Sequence, residues 1–152
     1  YCGKQFGINS RDIQGYILGE HGDTEVAYLS HATICGERKL FTDRKHVRAV
    51  KDAYEATRNA GYELIQKKGS TYYAIGLAVT EIVRAVVRNE RAILPVSTLF
   101  TGQYGVQDVY ISFPSVVGRE GVERILDLSL KGAELKAFRN SAKAIKKNIA
   151  WL

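Results

Sequence analysis

Residues 71–88 constrain this chain most. Tyr73, Ile75, Leu77, Val79, Ile82, Val83 and Val86 run around nearly the whole girth of any helix drawn there. A helix apolar around most of its girth has to be covered, so the segment predicts an element central to the fold or to an interface. Ser70 or Thr71 is expected to cap its start. The stretch before it is of the other kind. Val47, Val50, Tyr54, Thr57, Gly61, Leu64 and Ile65 recur every three or four residues, with Lys51, Asp52, Glu55 and Arg58 mostly between them. That period predicts an amphipathic helix from about residue 46, ending near Lys67-Lys68-Gly69, where cations offset the helix dipole.

Around these two helices the pattern shortens. Residues 1–7 read as the end of a helix closed by Gly7. Residues 12–18 read as a strand, residues 19–23 as a break, and residues 26–29 as a second apolar run. Further on, residues 92–100 and 106–113 flank a turn at 102–105. Residues 115–117 and 122–128 flank another at 118–121. Pro95 predicts an edge or a bulge in the first of these strands. A last helix over residues 132–152 places Leu135, Phe138, Ala142, Ile145 and Ile149 on one stripe. The sum is an α+β arrangement of antiparallel strands packed against long helices. With 152 residues, one domain over positions 1–152 is expected.

Composition narrows the chemistry. Apolar residues at 45% and charged residues at 25% are those of a globular chain. Two cysteines, Cys2 and Cys35, exclude a disulfide framework and point to a reducing compartment. No apolar run approaches about 18 residues, so no membrane span is expected. No signal-peptide pattern follows the first residue, Tyr1; a start without Met leads to the expectation that upstream sequence was removed or was never included with this chain. The net charge of +6 is modest. Arg38, Lys39, Arg44, Lys45, Arg48 and Lys51 are diluted by Glu37, Asp43 and Asp52, and Phe41 alone is poor aromatic interleaving. Nucleic acid is therefore not an expected partner. There is no GxGxxG and no Walker sequence, so the chain lacks a nucleotide phosphate cradle of its own. His21, His31, Cys35 and His46 match no compact zinc spacing, and no metal is expected.

His21 stands out among the rest. It lies at a strand end within Gly19-Glu20-His21-Gly22-Asp23, where Gly22 permits a sharp turn or the close approach of a ligand. An imidazole titrates near neutrality and passes a proton in either direction at low cost. From the residues alone, a catalytic histidine and a solvated histidine in a turn both fit. No sequence argument selects a carboxylate within this chain to orient the ring.

Several motifs, in one order, carry a resemblance over essentially the whole chain. They are Gly15-Tyr16-Ile17-Leu18-Gly19-Glu20-His21-Gly22-Asp23-Thr24-Glu25, Lys67-Lys68-Gly69-Ser70-Thr71-Tyr72-Tyr73-Ala74-Ile75-Gly76, Arg88-Asn89-Glu90, Ala92-Ile93-Leu94-Pro95-Val96-Ser97, and Gly102-Gln103-Tyr104-Gly105 followed by Asp108-Val109-Tyr110. Together they resemble the C-terminal, substrate-binding half of bacterial-type L-lactate dehydrogenases, in the lactate/malate dehydrogenase family. The resemblance implies a cytoplasmic oxidoreductase that interconverts pyruvate and L-lactate with NADH and NAD, as in glycolytic fermentation. It implies a homotetramer, with an upstream Rossmann domain that is absent from this chain. By resemblance His21 is the acid/base, Thr71 shapes the pocket around the substrate methyl, and Ile75 lies against the nicotinamide ring one helical turn later.

The departures matter as much. The family's carboxylate-gripping arginine, its histidine-orienting aspartate and its carbonyl-polarising arginine belong upstream of Tyr1. These 152 residues alone are therefore expected to bind NAD weakly and to turn over negligibly. Where many members hold a phosphate of fructose 1,6-bisphosphate with a histidine, this chain has Gln14, which adds no charge; weak or absent activation is expected. Two alternatives remain beside the lactate reading. One is a lactate-like malate dehydrogenase, whose discriminating side chain also lies upstream. The other is a non-catalytic assembly domain using the 71–88 helix and the sheet face.

Overall fold

In the computed structural model, residues 1–38, 41, 43, 44 and 46–150 are described. The chain forms two compact units, Tyr1–Tyr16 with Ala27–Thr71, and Ile17–Val26 with Tyr72–Leu152.

The first unit opens with α1 (Cys2–Phe6), closed by Gly7 in the left-handed region at φ 66°, as its sequence predicts. The strand expected over residues 12–18 is not one strand. A 3-10 turn at Ser10–Asp12 leads into β1 (Ile13–Gln14), and the chain then leaves that pairing before β2 (Ile17–Leu18). Gly15 and Tyr16 separate the two. β1 pairs antiparallel with β4 (Thr33–Ile34), whereas β2 pairs with β3 (Val26–Ala27). The apolar run at 26–29 is accordingly a two-residue strand followed by a 3-10 turn over Leu29–His31. The predicted amphipathic helix is α2 (Val47–Lys68), stopped by Gly69 at φ 79°. Its Val50 joins Ala32, Ile34 and Phe41 in a buried cluster, with Phe6, Ile8 and Ile13 packed against it. Past Thr57 the stripe is open to solvent, and Leu64 and Ile65 are exposed.

The second unit carries α3 (Tyr73–Val87), the helix expected over 71–88. Two expectations are corrected here. The cap position is Tyr72, with no side-chain cap hydrogen bond, because Ser70 and Thr71 lie in the connection before it. Of the two placements expected for the helix, the centre of this chain's fold is excluded and an interface is not: Ala85 alone is buried in it, while Tyr73 and Leu77 are more than 70% exposed. Its C-terminal end is tied by Arg84, whose guanidinium bonds Glu90 and Glu81. The hydrogen bond to Glu90, then the two carboxylate charges, raise its pKa above the usual arginine value.

β5 (Ala92–Thr101), β6 (Gln107–Gly118) and β7 (Gly121–Ile125) form an antiparallel sheet in that order. The two strands expected on either side of Pro114 are one strand of 12 residues. The register explains why proline does not break it. Pro95 stands opposite Pro114, and the Pro114 carbonyl accepts from Leu126 N on the β7 side. A strand residue points its N and C=O to the same side, so the missing N–H of Pro114 removes nothing from the β5 ladder. β5 is an edge strand, and Pro95 sits there without a bulge; the register shifts instead between Phe100 and Thr101.

Inward residues alternate along both strands. Phe100, Phe113 and the α4 residue Phe138, all fully buried, pack edge-on or tilted with centroids 5.3–5.5 Å apart, where α4 spans Gly132–Ile149. Of its predicted stripe, Phe138 and Ala142 are buried and Ile149 is exposed. The last two residues of the predicted helix, Trp151 and Leu152, lie outside the described residues. The antiparallel sheet against long helices is the expected α+β arrangement.

Candidate functional site

The break at residues 19–25 is held from two directions. Gly19 exchanges backbone hydrogen bonds with Ser112 of β6, N to O at 2.9 Å and back at 3.2 Å. This uses the free edge of β6 just below the point where β7 begins to pair. On the other side, the Glu20 amide donates to the buried Ser141 Oγ of α4 at 2.7 Å. Thr24 Oγ1 lies 3.1 Å from the same hydroxyl and donates to the Glu20 carboxylate. Within the break, Glu25 N donates to Gly22 O at 3.2 Å and closes a turn.

His21 is carried between these anchors with its ring exposed. Among the described residues, no hydrogen bond, ion pair or ring contact engages it. The backbone that bears it is thus fixed while the imidazole faces outward, which is what a group meant to meet a ligand requires.

Sequence reasoning gave Gly22 the freedom for a sharp turn; the left-handed glycine of this loop is Gly19. Gly19 has φ 96°, and a Cβ there would lie 2.5 Å from Ser141 Oγ. Gly22 has no left-handed φ. Ser112, Ser141 and Thr24 were also missed. Ser141 sits among the buried residues of an amphipathic helix, and a polar residue in that stripe was the available signal.

The other expected site residues fall as follows. Ile75 is in the third position of α3 in the second unit and is 56% exposed. Thr71 is half-buried in the connection before α3 and belongs to the first unit. It is therefore not one turn before Ile75 on a helical face. Gln14, in β1 of the first unit, is exposed and accepts a hydrogen bond from Thr33 Oγ1 at 3.2 Å. His31 stacks on Tyr28 with centroids 4.9 Å apart, and His46 packs edge-on against Phe6. Among the described residues no group of three His, Cys, Asp or Glu side chains could hold a metal ion. Of the basic run, Lys39 and Lys45 lie outside the described residues, and Arg48 pairs with Asp52. No described helix is long and apolar enough to cross a membrane.

A sheet of this register with a clasped histidine loop, packed on a C-terminal helix, defines a class: the alpha/beta C-terminal domain of lactate/malate dehydrogenases. The model of that domain matches residues 1–151, and the chain belongs to this family. Within it, curated proteins similar to this chain include L-lactate dehydrogenases. That of Acetivibrio thermocellus is 44% identical over 150 residues, which cover 95% of this chain and 47% of that protein. That of Salinibacter ruber is 42% identical over 154 residues, covering 99% of this chain and 49% of the relative. Among solved structures, the minor L-lactate dehydrogenase of Enterococcus mundtii superposes with a TM-score of 0.93 at 37% identity, over 99% of this chain and 49% of that one. The malate dehydrogenase of Salinibacter ruber gives 0.90 at 28% identity, over 98% and 48%. The chain thus spans about half the length of the curated relatives it matches.

Proposed function

We propose that this chain is the substrate-binding half of an NAD-dependent L-lactate dehydrogenase, forming one family domain over residues 1–152 and working with a dinucleotide-binding Rossmann domain in a cytoplasmic homotetramer. The observation that carries the reading is the loop at 19–25. It is pinned to β6 and α4, and presents His21 outward from a family-matched position.

His21 is the general acid and base. As an imidazolium it hydrogen-bonds the carbonyl oxygen of pyruvate and transfers its proton there, leaving neutral imidazole and L-lactate; in reverse it removes the hydroxyl proton. NADH, when bound, supplies the hydride to the carbonyl carbon. Ile75 offers an exposed apolar side chain suited to the flat nicotinamide face, where it excludes water from the reacting atoms. Thr71 narrows the space around the substrate methyl. Guanidinium groups that fix the carboxylate come from outside this chain, so the chain alone binds NAD weakly and turns over negligibly.

The test is NADH oxidation by the complete subunit, with pyruvate and oxaloacetate compared by kcat/KM. A strong preference for pyruvate supports the reading. The likeness to a malate dehydrogenase structure supports a second reading, and preference for oxaloacetate would establish it. Turnover of neither overturns both.

A further inference from the structure

Ser141 is fully buried on the inward side of α4, beside Phe138 and Ala142. A hydroxyl in such a place is costly unless its hydrogen bonds are made. The groups around it fix their direction. An amide N–H only donates, so Ser141 Oγ accepts from Glu20 N at 2.7 Å. A carboxylate only accepts, so the Thr24 hydroxyl gives its proton to Glu20 Oε2. Thr24 Oγ1 is then left to accept from Ser141, 3.1 Å away. The three residues close a ring with one sense of donation: Glu20 amide to Ser141, Ser141 to Thr24, Thr24 to the Glu20 carboxylate.

This ring brackets His21. Its two loop members stand at positions 20 and 24, so the segment His21-Gly22-Asp23 spans the gap between them. Ser141 is the one member that comes from another element. The fit is two-sided: at Gly19 any Cβ would come within 2.5 Å of the serine oxygen, so the loop approaches as closely as it does only because residue 19 is glycine.

We infer that Ser141 is a positioning residue for His21, which clasps both shoulders of the histidine turn to the core helix so that the imidazole is held in one place before substrate arrives. The inference rests on His21 being the acid/base proposed above. Ser141 delivers no proton to the ring, since its own goes to Thr24. Its effect is geometric, and displacing a reacting group by about 1 Å costs on the order of 100-fold in rate.

Two measurements test it. The first follows amide hydrogen exchange in the chain with Ser141→Ala, Thr24→Val or Thr24→Ser. Opening the ring should speed exchange at Glu20 by about tenfold in the first two variants while Phe138 on α4 stays protected. Thr24→Ser, which keeps the hydroxyl, should behave as wild type. The second uses the complete subunit. There Ser141→Ala and Thr24→Val should lower kcat by about tenfold or more with KM for pyruvate little changed, and Thr24→Ser should restore it. Glu20 exchange that is unchanged, or that rises only in step with Phe138, overturns the clasp. An unchanged kcat in the active subunit overturns the positioning role. A wild-type subunit that reduces no 2-oxo acid overturns the dehydrogenase reading instead, and the exchange comparison still decides the ring.

Discussion

Gly19 and Ser112 exchange both of their backbone hydrogen bonds, at 2.9 and 3.2 Å. This bridge continues the sheet by one residue pair into the loop that bears His21. The loop therefore starts from the rigid edge of β6, whose other neighbour is β5 along its length. Position 19 also has to be glycine, since its φ is 96°.

Gly19→Ala should accordingly destabilise the chain by about 1–3 kcal/mol through the left-handed backbone, beyond the crowding against Ser141. Urea unfolding of the two proteins measures it. A change within a few tenths of a kcal/mol would mean that the loop can re-form elsewhere.

His21→Gln should leave thermal stability where it is, because the ring is exposed and engages no described residue. In the complete subunit the same change should lower kcat by about 10²–10⁴, the range for loss of a general acid. Calorimetry and NADH absorbance read the two effects separately.

Phe138→Ala removes a fully buried ring from contact with Phe100 and Phe113. The expected loss is about 3–5 kcal/mol, from transfer and cavity together. Because α4 also carries Ser141, the loss should appear as weaker protection of the Glu20 amide as well as a lower denaturation midpoint.

Tyr104→Phe deletes a hydroxyl that accepts from Leu128 N at 2.6 Å and donates to Leu128 O at 2.9 Å. Leu128 N loses its acceptor, whereas Leu128 O keeps Leu130 N at 2.8 Å, so the change should cost about 1–3 kcal/mol despite removing a single atom. Chemical denaturation checks this, and a neutral result would show that water replaces the hydroxyl.

In the function proposed above, Gln14 stands where many family members hold an effector phosphate with a histidine, and it adds no charge. Titrating the complete subunit with fructose 1,6-bisphosphate at low pyruvate should produce no large fall in KM, whereas Gln14→His should increase the response. A strong response in the wild type would show that other cations hold the phosphate.

Much of the architecture was legible because helical periodicity and glycine stops are local. α2 begins within a residue or two of the change in pattern at His46 and ends at Gly69, where three or four apolar repeats meet a residue free to take φ 79°. The failures share a cause in pairing. Residues 12–18 look like one strand, yet β1 and β2 bond different partners and residues 15 and 16 between them belong to neither sheet. Pro114 looks like a strand boundary, yet its ring faces the side of β6 on which no β5 hydrogen bond is formed.

The motifs around His21 identified the family and singled out the residue proposed above as the acid/base, since a nearly contiguous run of residue types can be read without knowing where the chain goes. Three features came from tertiary structure alone: the bond from Gly19 to a serine 93 positions later, the ring through Ser141, and the solvent exposure of α3. A linear sequence encodes which groups can donate, accept or avoid water. Which of them meet, and which apolar faces this chain leaves uncovered, is settled only when distant segments pack and each buried polar group must find a partner.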